Sequence, residues 1–433
     1  MNPKREVRKP PAIPALVWIV PVLLFIVCSV YTESFHELKG SGDKMVIALK
    51  LGALTGVLAC IYLSNMTVAL CVFTTVAFFE PILPMGGIYA ITFFSLGSII
   101  LWFRARKPRF GVLGILFLLV SASIAYNFAR KVDGNNSLLF STSIFYGCGG
   151  FICAVGASKV GRSIEWRLVA MSAGMAATLS VLDSIIWVYL YSDISQMGTT
   201  GALRLGPMGL TSCNSAAAGW ATGVLAWLVF TACGGKLWMA ICGSIVCLVG
   251  VVLTRTWGAS ICLVLCLPFV LHRWLGAKWF FWFFALGAFA LVLGWGMINS
   301  FVYSQFSVES KNLETFTGRT LSWEESLRGI AERPTGHTMD EWERVGVRDN
   351  AIILTPHNAV LQAGVYGGVI SLVACLGIML LVLYKPLSRF HKYKSWSLLS
   401  VFTVLSLLSV DVWHFYPVLM LALYNVDQTD MLG

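Results

Sequence analysis

Three guanidinium groups and an imidazole are the parts of this 433-residue chain best suited to chemistry. Arg204 precedes the run Leu205 to Asn214, Arg255 sits in Leu-Thr-Arg-Thr-Trp-Gly-Ala, and Arg319 sits in Thr-Gly-Arg-Thr-Leu-Ser-Trp. Planar guanidinium forks match phosphate oxygens in pairs, so three of them converging on one face could clamp a diphosphate. His357 and Asn358 follow Thr355 and Pro356, where the longest polar segment meets a long apolar run. Thr355 suits a helix N-cap and Pro356 the first helical position, whose N–H goes unpaired in any case. His357 then lies in the first helical turn, where free N–H groups and the positive end of the dipole favour an anion and a neutral imidazole. A neutral His beside an anion is equipped to act as a general base. His337, Asn214 and Asn358 are supporting candidates, and Gly364 and Gly368, four apart, would admit a neighbouring helix.

Each of these residues also has a plainer reading. His357 could simply cap a helix or anchor it at the interface. Arg204 could be a solvated loop charge, and Arg255, at the end of a span, could snorkel to the surface. Arg319 could cap a helix or pair with Glu324 or Glu325, and a His such as His337 is more often structural than catalytic. Asp183 and Asp411 fall within apolar spans and are functional suspects on that ground, with a paired hydroxyl or Lys as the alternative.

The elements that must position these groups are membrane helices. The chain is 57% hydrophobic and 12% charged, with a mean hydropathy of +0.77, whereas about a quarter of the residues in a soluble domain are charged. Apolar runs recur near 13–31, 45–63, 66–79, 86–103, 110–126, 138–156, 168–190, 216–234, 238–254, 259–272, 279–298 and 358–384, with a further apolar region at 397–425. The pattern predicts an all-α polytopic membrane protein of about 12–14 transmembrane helices. The first run follows Lys4, Arg5, Arg8 and Lys9 without a small-residue cleavage site and reads as a retained signal anchor.

The net charge of +10 does not indicate nucleic acid, because the basic residues fall in short clusters between apolar runs. With the N-terminus inside, the cytoplasmic loops hold more than half of the 31 Lys and Arg, among them Arg104, Arg106, Lys107, Arg109, Lys385, Arg389, Lys392 and Lys394. This is the positive-inside pattern. It sends loop 191–215, the turn at Arg255 and segment 299–355 to the external side. The chain therefore divides into N-terminal spans 1–298, an external loop 299–355 and C-terminal spans 356–433. Within the loop, Ser322-Trp-Glu-Glu325 resembles a capping box, and Trp323, Leu327 and Ile330 form an apolar stripe on a short helix that Pro334 ends.

Eleven of the 12 cysteines lie in apolar runs and behave as small hydrophobes, so neither a disulfide framework nor a zinc site is expected. No phosphate-binding Gly loop, HExxH pair or dinucleotide turn is present. No acidic cluster with ligand spacing marks the outer face, so metal-independent chemistry without a cofactor is expected.

Several of these stretches are similar to the bacterial O-antigen ligase and polymerase family of membrane glycosyltransferases. Thr317-Gly-Arg319-Thr-Leu-Ser-Trp323, then Leu327, Ile330-Ala331 and Arg333-Pro334-Thr335-Gly336, resembles its Arg-x-x-x-Trp element running to Pro-x-Gly. His357-Asn358, nine residues, then Gly368 resembles the ligase signature. The Arg255 turn and the Gly209 to Asn214 loop resemble its external arginine turn and Gly-x-x-x-x-Asn loop. The likeness covers about 200–370. Two places depart from it: Ser371 stands where Gly, Thr or Tyr is usual, and Gly336-His-Thr-Met replaces a second glycine.

The resemblance implies transfer of O-antigen polysaccharide from undecaprenyl diphosphate to a sugar hydroxyl of lipid A-core, on the periplasmic face of the bacterial inner membrane. It makes His357 the base, with Arg255, Arg319 and Arg204 on the diphosphate. O-antigen polymerase and protein-glycosylating ligase are the family alternatives. A secondary transporter would instead predict inverted repeats and broken spans meeting at the midplane, and no clear repeat is present.

Overall fold

Inside a bilayer no water is available to backbone amides, so an apolar chain must satisfy them within helices. The computed structural model describes residues 44–79, 88–105, 108–132, 137–158, 164–191, 213–232, 235–254, 263, 282, 319–346 and 358–388, and every regular element among them is helical. In chain order these are α1 (Lys44–Leu63), α2 (Met66–Phe79), α3 (Ile88–Arg104), α4 (Val112–Arg130), α5 (Ser137–Gly156), α6 (Trp166–Tyr191), α7 (Cys213–Ala232), α8 (Leu237–Leu253), α9 (Arg319–Glu332), α10 (Met339–Gly346) and α11 (Ala359–Ser388). Among the described residues, four segments within α4, α5, α6 and α11 are long and apolar enough to cross a membrane, and five shorter apolar helices accompany them. The chain is an all-α membrane protein. The apolar runs near 13–31 and 397–425, and all but single residues of 259–272 and 279–298, lie outside the described residues.

Small residues and hydroxyls decide the packing, as expected where apolar surface alone gives helices no reason to associate. Ser121 of α4 donates to the Ser143 carbonyl of α5 at 2.8 Å, and Ser143 returns a bond to the Ser121 carbonyl at 2.9 Å. Gly114 and Gly150 face each other across the same pair, each lying close to the other's carbonyl oxygen. In a second group, Trp227 of α7 fills the space over Gly174 of α6 and Gly243 of α8. Its indole N–H donates to Thr178 at 3.0 Å. The Thr75–Ser172 contact of 2.7 Å joins α2 to α6.

These contacts also fix helix direction. Phe94 meets Phe145 and Trp102 meets Phe151, so α3 and α5 run parallel. Arg104, at the end of α3, donates to the Ile61 and Ser64 carbonyls at the end of α1. Glu165 donates to Thr67, so α2 and α6 start together. Alternation then gathers the ends of α4, α6 and α8 and the starts of α5, α7 and α11 at one end of the bundle. That end carries the loops assigned above to the external side.

Candidate functional site

The site is built around α11, and α11 is not continuous. Gly368 has φ 72° and ψ −164° inside the helix, a combination essentially reserved for glycine. Up to Gly368 the helix is enclosed by protein, whereas beyond it Val369, Ile370, Val373 and Leu380 are exposed as a lipid-facing stripe would be. An uninterrupted helix would pair the Val369 N–H with the Val365 carbonyl. Here the two are parted, and each bonds to the loop after α9: Val369 donates to the Pro334 carbonyl and His337 donates to the Val365 carbonyl, both at 2.8 Å. Residues 334–337 are thus clasped into the break. Gly336, at φ 91°, makes the matching turn, and a Cβ there would come within 2.6 Å of the Tyr366 carbonyl. A Cβ on Gly368 would run into the Pro334 carbonyl oxygen.

Asn127, fully buried near the end of α4, closes the clasp. Its Nδ2 donates to the Thr335 carbonyl at 2.6 Å and the Tyr366 carbonyl at 2.8 Å, with a longer contact to the Ser123 carbonyl at 3.4 Å. Its Oδ1 accepts from Arg130 at 2.8 Å. These bonds account for α4 continuing to Arg130, past the apolar run that ends near 126.

At the water-facing edge, Glu341 accepts from Arg130 at 3.0 Å, pairs with Arg333, and accepts the Thr338 N–H at 2.8 Å; Lys131 pairs with Asp340. Partial burial pushes the Glu341 carboxyl up, but the Thr338 N–H and the Arg333 hydrogen bond and charge outweigh it and hold the carboxyl below its usual range. The Glu341-to-Thr338 bond is half of a capping box, Thr338-x-x-Glu341, that starts α10. The signal is present in the sequence, and α10 is a helix not among those expected above within 299–355.

Several sequence-based placements change. Asn358, not Thr355, caps α11: its Oδ1 accepts the N–H groups of Val360 and Leu361 at 3.0 and 3.1 Å. His357, the residue before this cap in the chain, lies outside the described residues; two of the four open amides at that helix start are occupied. α9 begins at Arg319, so Ser322 is interior and is not a cap. Its buried face is Ser322, Glu325, Ser326, Gly329 and Ile330, while Leu327 is exposed. A small, polar face is what fits against an enclosed helix. Ile330 packs over Gly364, which admits α9 as expected, but Gly368 provides a break instead of a helix crossing.

His337 is buried, with Nε2 at 2.9 Å from the Gly329 carbonyl and its ring 5.9 Å from that of Trp342. This matches its structural reading. Glu325 pairs with Arg328 at 2.9 Å. Arg319 opens α9 and Asn214 is the second residue of α7, at the end of the bundle whose loops the charge pattern assigns to the external side; Thr254, next to Arg255, ends α8 at that same end. Arg204, Arg255, His357 and Asp411 lie outside the described residues. Asp183 is buried within α6.

Residues 242–376, a span of 135 in the 433, match the family model described as O-Antigen ligase. Over that span, less than a third of its length, the chain is similar to the O-antigen ligase family. No curated protein and no solved structure matches this chain. The O-antigen ligase segment starts in α8, takes in Arg255, Arg319, His337, His357 and Asn358, and stops eight residues past the Gly368 break. The match supports a glycosyltransferase-like enzyme of the O-antigen ligase or polymerase kind. Arg204, Asn214 and Asn127 fall outside the matched segment.

Proposed function

We propose that the protein transfers O-antigen polysaccharide from undecaprenyl diphosphate to a sugar hydroxyl of lipid A-core, at the periplasmic face of the inner membrane. The observation that carries this reading is the clasp. The O-antigen ligase segment folds so that the helix opened by Arg319 packs, through Ile330 on Gly364, against the half-helix whose cap directly follows His357.

In this mechanism His357 accepts the proton of the acceptor hydroxyl as that oxygen attacks the anomeric carbon. The bond from that carbon to the diphosphate oxygen breaks, and undecaprenyl diphosphate leaves with the electron pair. Arg255, Arg319 and Arg204 hold the diphosphate and stabilise the charge that develops on it. Direct attack inverts the anomeric centre. The donor carries its own activated leaving group, so no nucleotide is required, and guanidinium charge serves where other transferases use a divalent ion. Asn358 sets where the half-helix begins, and His337 ties the loop to α9.

Reconstitution with undecaprenyl-linked glycan tests the reading. Extension of lipid A-core supports it; extension of a second lipid-linked glycan would make the protein a polymerase, and extension of a pilin-type protein would make it a protein ligase. Activity should persist in chelator. Activity that collapses there and returns with a divalent ion would overturn the metal-free mechanism, and retained configuration would rule out direct attack.

A further inference from the structure

Asn127 lies outside the matched segment, in an apolar span, with no accessible surface. A buried amide there costs free energy unless both of its edges are bonded. Its contacts are not those that pack α4 on α5, which are made by Ser121, Ser143, Gly114 and Gly150. It reaches instead to two carbonyls 208 and 239 residues away, one on each strand of the clasp. The opposite edge accepts from Arg130, whose other nitrogen bonds Glu341. Among side chains of this size only an amide offers two donors to two carbonyls while accepting from a guanidinium.

We propose that Asn127 is a positioning residue for the transfer reaction: it holds loop 334–337 in the break of α11 and so fixes the half-helix that begins beside His357. The inference rests on His357 being the base. A base displaced by about 1 Å can cost roughly 10²-fold in rate without loss of substrate binding. Tyr366, whose carbonyl Asn127 holds, lies nine residues after His357. Residues 359–366 between them form one rigid helical piece, so a shift at the clasp is carried to its start.

The test uses the full chain in detergent, undecaprenyl-diphosphate-linked O-antigen and lipid A-core, with Asn127→Asp, Asn127→Ser and His357→Ala. Asn127→Asp keeps the shape and the Arg130 contact but sets an acceptor against two carbonyls. It should lower kcat on the order of 10²-fold with little change in KM. Backbone hydrogen exchange at 365–369 should rise, and Asn127→Asp should add no further loss to His357→Ala.

Wild-type kcat in both Asn127 variants, a change confined to KM, or a full additive loss in the His357→Ala background would each overturn the proposal. Failure of both variants to fold would assign Asn127 to folding alone and overturn it as well. His357→Ala with wild-type turnover would sink the base assignment and this proposal with it. An inactive His357→Ala beside a fully active Asn127→Asp would overturn this proposal only.

Discussion

At the scale of single residues, one side-chain carbon separates a working clasp from a broken one. Gly368→Ala places a Cβ against the Pro334 carbonyl and forces a backbone conformation that costs about 1–3 kcal/mol in any residue but glycine. We expect this variant to unfold at lower temperature than the wild type and to lose transfer activity, as read by thermal denaturation of purified protein and by the lipid A-core assay. Gly364→Ala, which meets only the movable end of Ile330 and the Leu372 side chain, should be milder in both. His357→Ala should cost about 10²–10⁴-fold in rate while the yield of folded protein is unchanged, since its proposed role is proton transfer. The imidazole and guanidinium groups stand out in the sequence as ionisable side chains beside long apolar runs, although each also has a plainer reading there. Asn127 was not legible: an amide three residues before Arg130 reads as the polar end of a span, and its partners are more than 200 residues away.

At the scale of elements, α10 and the clasp are joined through Glu341. Its carboxyl titrates below its ordinary range in the folded protein, so its contribution to stability is complete above the unfolded pKa, near 4.3, and disappears as pH falls through the lower folded value. Glu341→Gln should therefore lower the thermal midpoint at neutral pH. The gap between variant and wild type should narrow as pH falls below the unfolded value and vanish below the folded one, and a gap that stays constant as the carboxyl is protonated would contradict the assignment. Among the described residues the helices match the apolar runs to within a few residues, because a bilayer leaves a chain of this composition few other choices. The helix starts were read less well. Thr355 and Ser322 have the right chemistry for caps, but Asn358 takes that role for α11 and α9 starts at Arg319, since tertiary packing chose among competing local signals. Of the apolar stripe Trp323, Leu327 and Ile330, Ile330 is buried against Gly364 while Leu327 is exposed, because the rest of the face that α9 packs on protein is small and polar.

At the scale of the whole molecule, helix directions gather the helix ends that lead into the site-bearing loops at one end of the bundle, and from the positive-inside pattern we expect that end to lie outside the cytoplasm. Val132, just past α4, and Leu63, at the end of α1, are both well exposed and lie at opposite ends. A cysteine at 132 should react with a membrane-impermeant maleimide added from the periplasmic side, and a cysteine at 63 only after the membrane is opened. The reverse pattern would move the proposed chemistry to the cytosol.

The split between Val365 and Val369 also bears on how the chain is assembled. Taken alone, a peptide covering 358–388 has every reason to close its own 369-to-365 bond and form one straight rod, because lipid offers the freed groups no substitute partner. The bend is then imposed late, when α4 and the preceding loop are already in place to receive both orphaned groups. Spectra of such a peptide in micelles should report an unbroken rod, and co-expression with the rest of the chain should be needed to fold it into its bent form.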